Sequence, residues 1–73
     1  MTEKIAIDEA YIRLDQLMKY AGLCSSGGRA KYLIQNGEVQ FNGEVCTMRG
    51  KKIRPGDTVT YQDRTVEVTI ESS

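Results

Sequence analysis

Along the first half of the chain the apolar residues recur with a helical period, and after residue 37 the period falls to two. Leu14, Leu17, Met18 and Ala21 fall at i, i+3, i+4 and i+7, which makes one apolar stripe and predicts a first helix. Asp15 lies in its first turn, where negative charge suits the helix dipole, and Gly22 is a natural stop. Leu23 to Ser26 is too short for anything but a corner between two helices, and Leu23 is expected to enter the core beside Leu33. Ala30, Leu33 and Ile34 form the second stripe. Ser25 or Ser26 can cap that helix, because a serine oxygen accepts from the N–H groups of the first turn. Asn36-Gly37 can close it, because Gly enters the left-handed region without a Cβ clash.

Beyond Gly37, Val39 and Phe41 alternate with Glu38 and Gln40, the pattern of a half-buried strand. Asn42-Gly43 predicts a type I′ hairpin turn, with Glu44–Thr47 as the returning strand. Met48–Lys52 reads as a basic loop and Ile53 as a lone apolar plug. Arg54-Pro55-Gly56-Asp57 carries the Pro and Gly of a type II turn. Thr58–Tyr61 and Thr65–Ile70 are β-branched strands joined across Gln62-Asp63-Arg64. Lys4–Ile7 alternates weakly and predicts a first strand, Tyr11-Ile12 is a short extended approach, and Glu71-Ser72-Ser73 is expected to fray. The fold class is α+β: a helix-turn-helix corner packed on a small, mostly antiparallel β-sheet.

Seventy-three residues make a single domain over 1–73. A chain this short buries only about 60% of its unfolded surface, which leaves no room for a second domain with its own active site. There is no histidine, so the usual general base is missing. Asp15, Glu38, Glu44 and Asp57 are scattered over a helix start and turns. Catalysis is therefore not expected. Cys24 and Cys46 are the only cysteines, and two thiols without His cannot complete a zinc site except across a dimer or with carboxylates. Neither a signal peptide nor a long apolar run is present. The expectation is a cytoplasmic monomer with free thiols, no metal, no cofactor, no membrane contact and no small-molecule substrate. The cysteines are read as small buried hydrophobes, Met18 as core filler, and Tyr11, Tyr20 and Tyr61 as core or sheet residues.

Net charge is zero, but its distribution is uneven. Residues 1–12 set Lys4 against Glu3, Asp8 and Glu9, net −2. Residues 13–54 set Arg13, Lys19, Arg29, Lys31, Arg49, Lys51, Lys52 and Arg54 against Asp15, Glu38 and Glu44, net +5. Residues 55–73 set Arg64 against Asp57, Asp63, Glu67 and Glu71, net −3. Such a basic middle suggests one positive face, if the fold gathers the bases. Gly27-Gly28 stands where the second helix begins, and each glycine there costs roughly 1 kcal/mol of helix stability relative to Ala. One reading is close approach of an anion to free N–H groups at a positive helix end. The other is close packing of two backbones at the corner. Lys31 lies on the side of the two glycines, whereas Arg29 projects from the opposite flank of the stripe. Tyr32 points away from the stripe, either to stack on a base or to cover the sheet or corner. Arg49, Lys51, Lys52 and Arg54 crowd like charges on one loop, a repulsion that an anionic partner relieves.

The ordered set Arg13-Leu14-Asp15, Gly22-Leu23, Ser26, Ala30, Leu33-Ile34, Gly37, Val39, Asn42-Gly43, Lys52-Ile53 and Gly56-Asp57 with Val59 resembles the αL-motif RNA-binding domain named after small-subunit ribosomal protein four. The match covers about residues 13–59. Ser26-Gly27-Gly28 with Ala30-Lys31, Asn42-Gly43-Glu44 and Arg49-Gly50-Lys51-Lys52 looks narrower still, like the small stand-alone bacterial proteins of the YaaA/YbcJ kind. The resemblance implies binding of structured RNA, with ribosomal RNA or a ribosomal particle as the target. It places the RNA surface at Ser26, Lys31, Lys51 and Lys52, with Arg13 beside them. The broader family has an arginine after the serine, where this chain has Gly27. Backbone N–H groups of Gly27 and Gly28 stand in for it. The candidate RNA-binding set is thus Arg13, Ser26, Gly27, Gly28, Arg29, Lys31, Arg49, Lys51, Lys52 and Arg54. The competing reading is a small protein–protein adaptor that uses its sheet face. Lys4 and Arg64, in the acidic end segments, serve as control positions.

Overall fold

The β-branched C-terminal third builds the middle of a five-stranded sheet. In the computed structural model, which describes residues 2–71, the elements are β1 (Thr2–Ile7), β2 (Ile12–Arg13), α1 (Leu14–Tyr20), α2 (Gly27–Gln35), β3 (Val39–Phe41), β4 (Glu44–Val45), β5 (Lys52–Ile53), β6 (Thr58–Tyr61) and β7 (Arg64–Ile70). The sheet order is β1-β7-β6-β3-β4. Only β1 runs parallel to its neighbour, in register from Thr2↔Thr65 to Ile7↔Ile70, so the sheet is mostly antiparallel, as expected. Phe41 pairs with Glu44 across Asn42 (φ 50°) and Gly43 (φ 89°), as a type I′ turn requires. Gly56 takes φ 98°, and the Asp57 N–H donates to the Arg54 carbonyl at 2.9 Å, closing the type II turn.

One side of this sheet carries the helical corner. Leu14, Leu17 and Met18 of α1 and Ala30, Leu33 and Ile34 of α2 join Val39, Val59, Val66 and Val68 of the sheet, with Ile7, Leu23 and Ile53, in one core. The two periods read from sequence therefore meet on a single apolar face.

Several expectations change. The returning strand is only Glu44–Val45; Cys46 and Thr47 leave it, although the Cys46 N–H still donates to the Val39 carbonyl at 3.0 Å. Lys52-Ile53 is not loop and plug but a strand, paired with β2 as Ile12↔Ile53 and Arg13↔Lys52. Tyr20 is 65% exposed and Tyr11 is also at the surface, so neither is core. Tyr61 is half-buried in β6. Cys24 and Cys46 are half-buried against the core rather than inside it. The Glu71 N–H donates to the Ile7 carbonyl at 2.7 Å, which ties it to β1. Ser72 and Ser73 lie outside the described residues.

Arg64 is an anchor, not a neutral surface charge. Its guanidinium grips Glu3 at 2.8 Å with both Nε and Nη2, and reaches the Ala21 and Gly22 carbonyls at 3.3 and 3.2 Å. That single side chain joins β1 and β7 to the end of α1. The hydrogen bond and charge of Arg64 hold the Glu3 carboxyl below its ordinary pKa. Arg64→Glu would break all of these contacts, which disqualifies it as a control.

Candidate nucleic-acid interface

The two helix starts are treated differently, and that difference organises the basic residues. Arg13, the N-cap of α1, makes no side-chain cap. Instead the Leu14 N–H donates to the Lys51 carbonyl at 2.9 Å and the Asp15 N–H to the Arg49 carbonyl at 3.1 Å. Asp15 Oδ1 accepts from the Gln16 N–H at 2.8 Å. The donors of the α1 first turn are thus used up inside the protein, and the basic loop is fastened across them. Its carbonyls face inward, while Arg49 and Lys52 remain exposed.

The start of α2 is open. Ser26 is its N-cap, with Oγ accepting from the Arg29 N–H at 3.2 Å. The Gly27 and Gly28 N–H groups have no hydrogen-bond acceptor among the described residues. Both glycines are exposed, and a Cβ built on either would meet nothing within 4 Å. The corner-packing explanation for the double glycine therefore fails. Neither glycine has positive φ, so backbone conformation does not require them either. What remains is access from outside to a positively polarised helix end.

The candidate residues fall into two groups. Arg13 and Lys52 face each other across the β2–β5 ladder, with Arg49 and Lys51 fastened to the adjoining start of α1. Ser26, Gly27, Gly28, Arg29 and Lys31 lie on the first turns of α2. The helices α1 and α2 pack against each other and link the groups, but no hydrogen bond, ion pair or strand register joins the bases of one to those of the other among the described residues. Arg54 sits apart in the type II turn, exposed, its N–H held by Asp57 Oδ2 at 2.9 Å.

Some of these cations already have partners. Arg13 Nη2 lies 3.0 Å from Asp15 Oδ2. The Lys51 ammonium stands 4.9 Å from the Phe41 ring centroid and that of Lys52 5.1 Å from Tyr11. Cation–π contact at the surface is worth about 0.5–1 kcal/mol. Charge crowding on the loop is thus partly relieved without any anion, and loop density alone is a weaker argument than the sequence suggested. Arg29 stacks over Tyr32, 5.5 Å away. Tyr32 is 57% exposed, so it does not cover the sheet or the corner. Lys31 is exposed beside the glycines.

A groove of about 480 Å³ between the end of β1 and α1 is bordered by Asp8, Glu9 and Glu71, with Tyr11, Tyr20 and Arg13. Its three carboxylates outnumber the one guanidinium, which Asp15 already pairs, so size does not make it the anion site. No group of three or more His, Cys, Asp or Glu side chains is placed to hold a metal among the described residues. Nor is any helix there long and apolar enough to cross a membrane.

Known proteins share this architecture. The family model described as "S4 domain" matches residues 5–69. The "Probable ribosome maturation protein RlbA" of Bacillus subtilis (strain 168) is 41% identical over 62 residues, covering 85% of this chain and 87% of that protein. The "Putative RNA-binding protein YbcJ" of Escherichia coli (strain K12) is 36% identical over 58 residues, covering 80% and 83%. The solution structure of Escherichia coli YbcJ, described as revealing an αL motif involved in RNA-binding, superposes with a TM-score of 0.66 at 32% identity, over 93% of this chain and 85% of that one. The chain belongs to the S4 domain family, named after small-subunit ribosomal protein four, and is similar to its small YbcJ-like members.

Proposed function

We propose that this protein is a non-catalytic RNA-binding module that recognises structured RNA through phosphate contacts. The observation that carries the reading is the open start of α2, where two glycines with unoccupied N–H groups serve no internal purpose. The names of its relatives, RNA-binding and ribosome maturation, support RNA as the source of the phosphate and favour ribosomal RNA or a ribosomal particle. In this reading phosphates contact Ser26, Gly27, Gly28 and Lys31 at α2, and Arg13, Arg49, Lys51 and Lys52 on the fastened loop. Arg29 and Arg54 lie at the margins. The protein works in the cytoplasm as a monomer, without metal, cofactor or small-molecule substrate.

Phosphate binding releases counterions, so affinity for a structured RNA is expected to fall with salt. A log–log slope of magnitude roughly 2 to 5 corresponds to that many phosphate contacts. Titrations at several salt concentrations measure it. A flat dependence would favour the protein–protein adaptor instead.

Gly28→Ala separates helix stability from binding. In open space the new methyl is expected to raise stability by up to about 1 kcal/mol, because Ala loses less backbone entropy than Gly in a helix. The same methyl stands between the backbone and an approaching phosphate, so RNA affinity falls. Thermal melting and binding on one sample give both numbers. Affinity that is unchanged or higher would remove the helix start from the interface.

A further inference from the structure

The β3–β4 hairpin and the basic loop border a shallow, open groove of about 230 Å³ that shares Lys51 with the phosphate contacts. Phe41, Val45, Cys46, Thr47 and Met48 line it, and its charged groups are Glu44 and Lys51. Val45 and Met48 are 59% and 65% exposed, large apolar side chains that the core does not take up. Met48 immediately precedes Arg49, so the groove wall and the basic loop are one segment. The Lys51 ammonium is held 4.9 Å from the Phe41 ring. A mixed lining, with apolar Val45 and Met48, a carboxylate acceptor on Glu44 and the Lys51 cation beside them, fits a flat uncharged ring that carries an amino group and is tied to an anion. A basic peptide is repelled by Lys51 and Arg49, and an apolar protein segment gains nothing from them.

We infer that this groove receives one unpaired base of the bound RNA, which makes the protein prefer a duplex interrupted by a bulge to an uninterrupted one. The inference rests on the RNA-binding reading above and names the class of RNA. Bases in duplex RNA are stacked and their edges hard to reach, so protein readers take the unpaired ones. The Met48 thioether, unbranched and polarisable, can lie along either face of a base. The Glu44 carboxylate offers an acceptor to an exocyclic amino group. Meanwhile the phosphates on either side of the extruded base meet Lys51 and Arg49.

The test uses two synthetic RNAs with equal numbers of phosphates, one a perfect duplex and one a duplex with a single-nucleotide bulge. They are titrated against the unaltered protein, the double variant Val45→Ser/Met48→Ser, and Met48→Leu. The unaltered protein is expected to bind the bulged RNA about two- to tenfold more tightly, in the range of one thioether–ring contact. The double variant loses that preference while keeping its duplex affinity and salt slope, and Met48→Leu retains the preference. Equal affinity of the unaltered protein for both RNAs would overturn the inference. So would a double variant that keeps the preference, or one that loses affinity for both RNAs alike. If neither RNA shows salt-dependent binding, the RNA reading itself fails, which is a separate outcome from loss of the bulge preference.

Discussion

Ile53→Ala is expected to destabilise the protein by about 2–5 kcal/mol, the usual range for emptying an isoleucine site in a closed core. Ile53 has no exposed surface and sits opposite Ile12 in the β2–β5 ladder. The loop that caps α1 through the Lys51 and Arg49 carbonyls runs straight into its strand. The cavity would therefore loosen two connections together: the ladder that sets Lys52 opposite Arg13, and the loop that closes the α1 first turn. Small domains have a total stability of about 5–15 kcal/mol, so the loss is a large share. Urea unfolding of the two proteins measures it. A cost below about 1 kcal/mol would mean that the ladder is peripheral, and that the basic loop is fixed by something else.

The parts of the fold that were legible in the sequence are those with a local signature. The stripes Leu14-Leu17-Met18 and Ala30-Leu33-Ile34 announce their helices, and both become core. Ser26 caps α2 as its chemistry suggests, and Gly22 and Gly37, at φ 74° and 76°, stand just past the helix ends. Asn42-Gly43 and Pro55-Gly56 carry their turn types in their residue identities. The β2–β5 ladder was not legible, since two-residue strands have no period and their partners are forty residues apart in sequence. Lone Ile12 and Ile53, each next to a base, were its only trace.

Main-chain acceptors also leave no mark in a sequence. Nothing in Arg49-Gly50-Lys51 announces that its carbonyls would satisfy the N–H groups of Leu14 and Asp15. The same holds for the anchoring of Arg64, which depends on Glu3 across the parallel β1–β7 pair. Tyr20 is different, because the signal was present. At 100° per residue it falls well off the Leu14-Leu17-Met18-Ala21 stripe, so helical geometry alone would have placed it at the surface. The candidate bases could be listed from the sequence. Which of them share a surface could not, since that depends on how the loop is fastened to α1 and how α1 packs on α2. The absence of any Cβ neighbour at Gly27 and Gly28 is likewise visible only in three dimensions.

Charge reversal within the two basic groups is expected to have the largest effect on binding. Lys31→Glu acts at the start of α2, and Lys51→Glu with Lys52→Glu acts on the fastened loop. Each lost charge-assisted contact is worth roughly 1.5–3 kcal/mol, so each variant should weaken binding by at least tenfold, and the introduced carboxylate adds repulsion. Lys31 and Lys52 are exposed, and surface charges contribute little to stability. The double variant also gives up two surface cation–π contacts, of about 0.5–1 kcal/mol each, and is expected to stay folded, which a melting curve checks. Lys4→Glu is the matched control: Lys4 is exposed on β1 and carries no salt bridge among the described residues. The most direct measurement is a set of binding isotherms at one fixed salt concentration for the unaltered protein, Lys31→Glu, Lys51→Glu/Lys52→Glu and Lys4→Glu, all with the same structured RNA. The account predicts strong losses for the first two variants and a minor one for Lys4→Glu. A loss for Lys4→Glu as large as that for Lys31→Glu would contradict it, because affinity would then follow net charge and not an interface built from α2 and the loop.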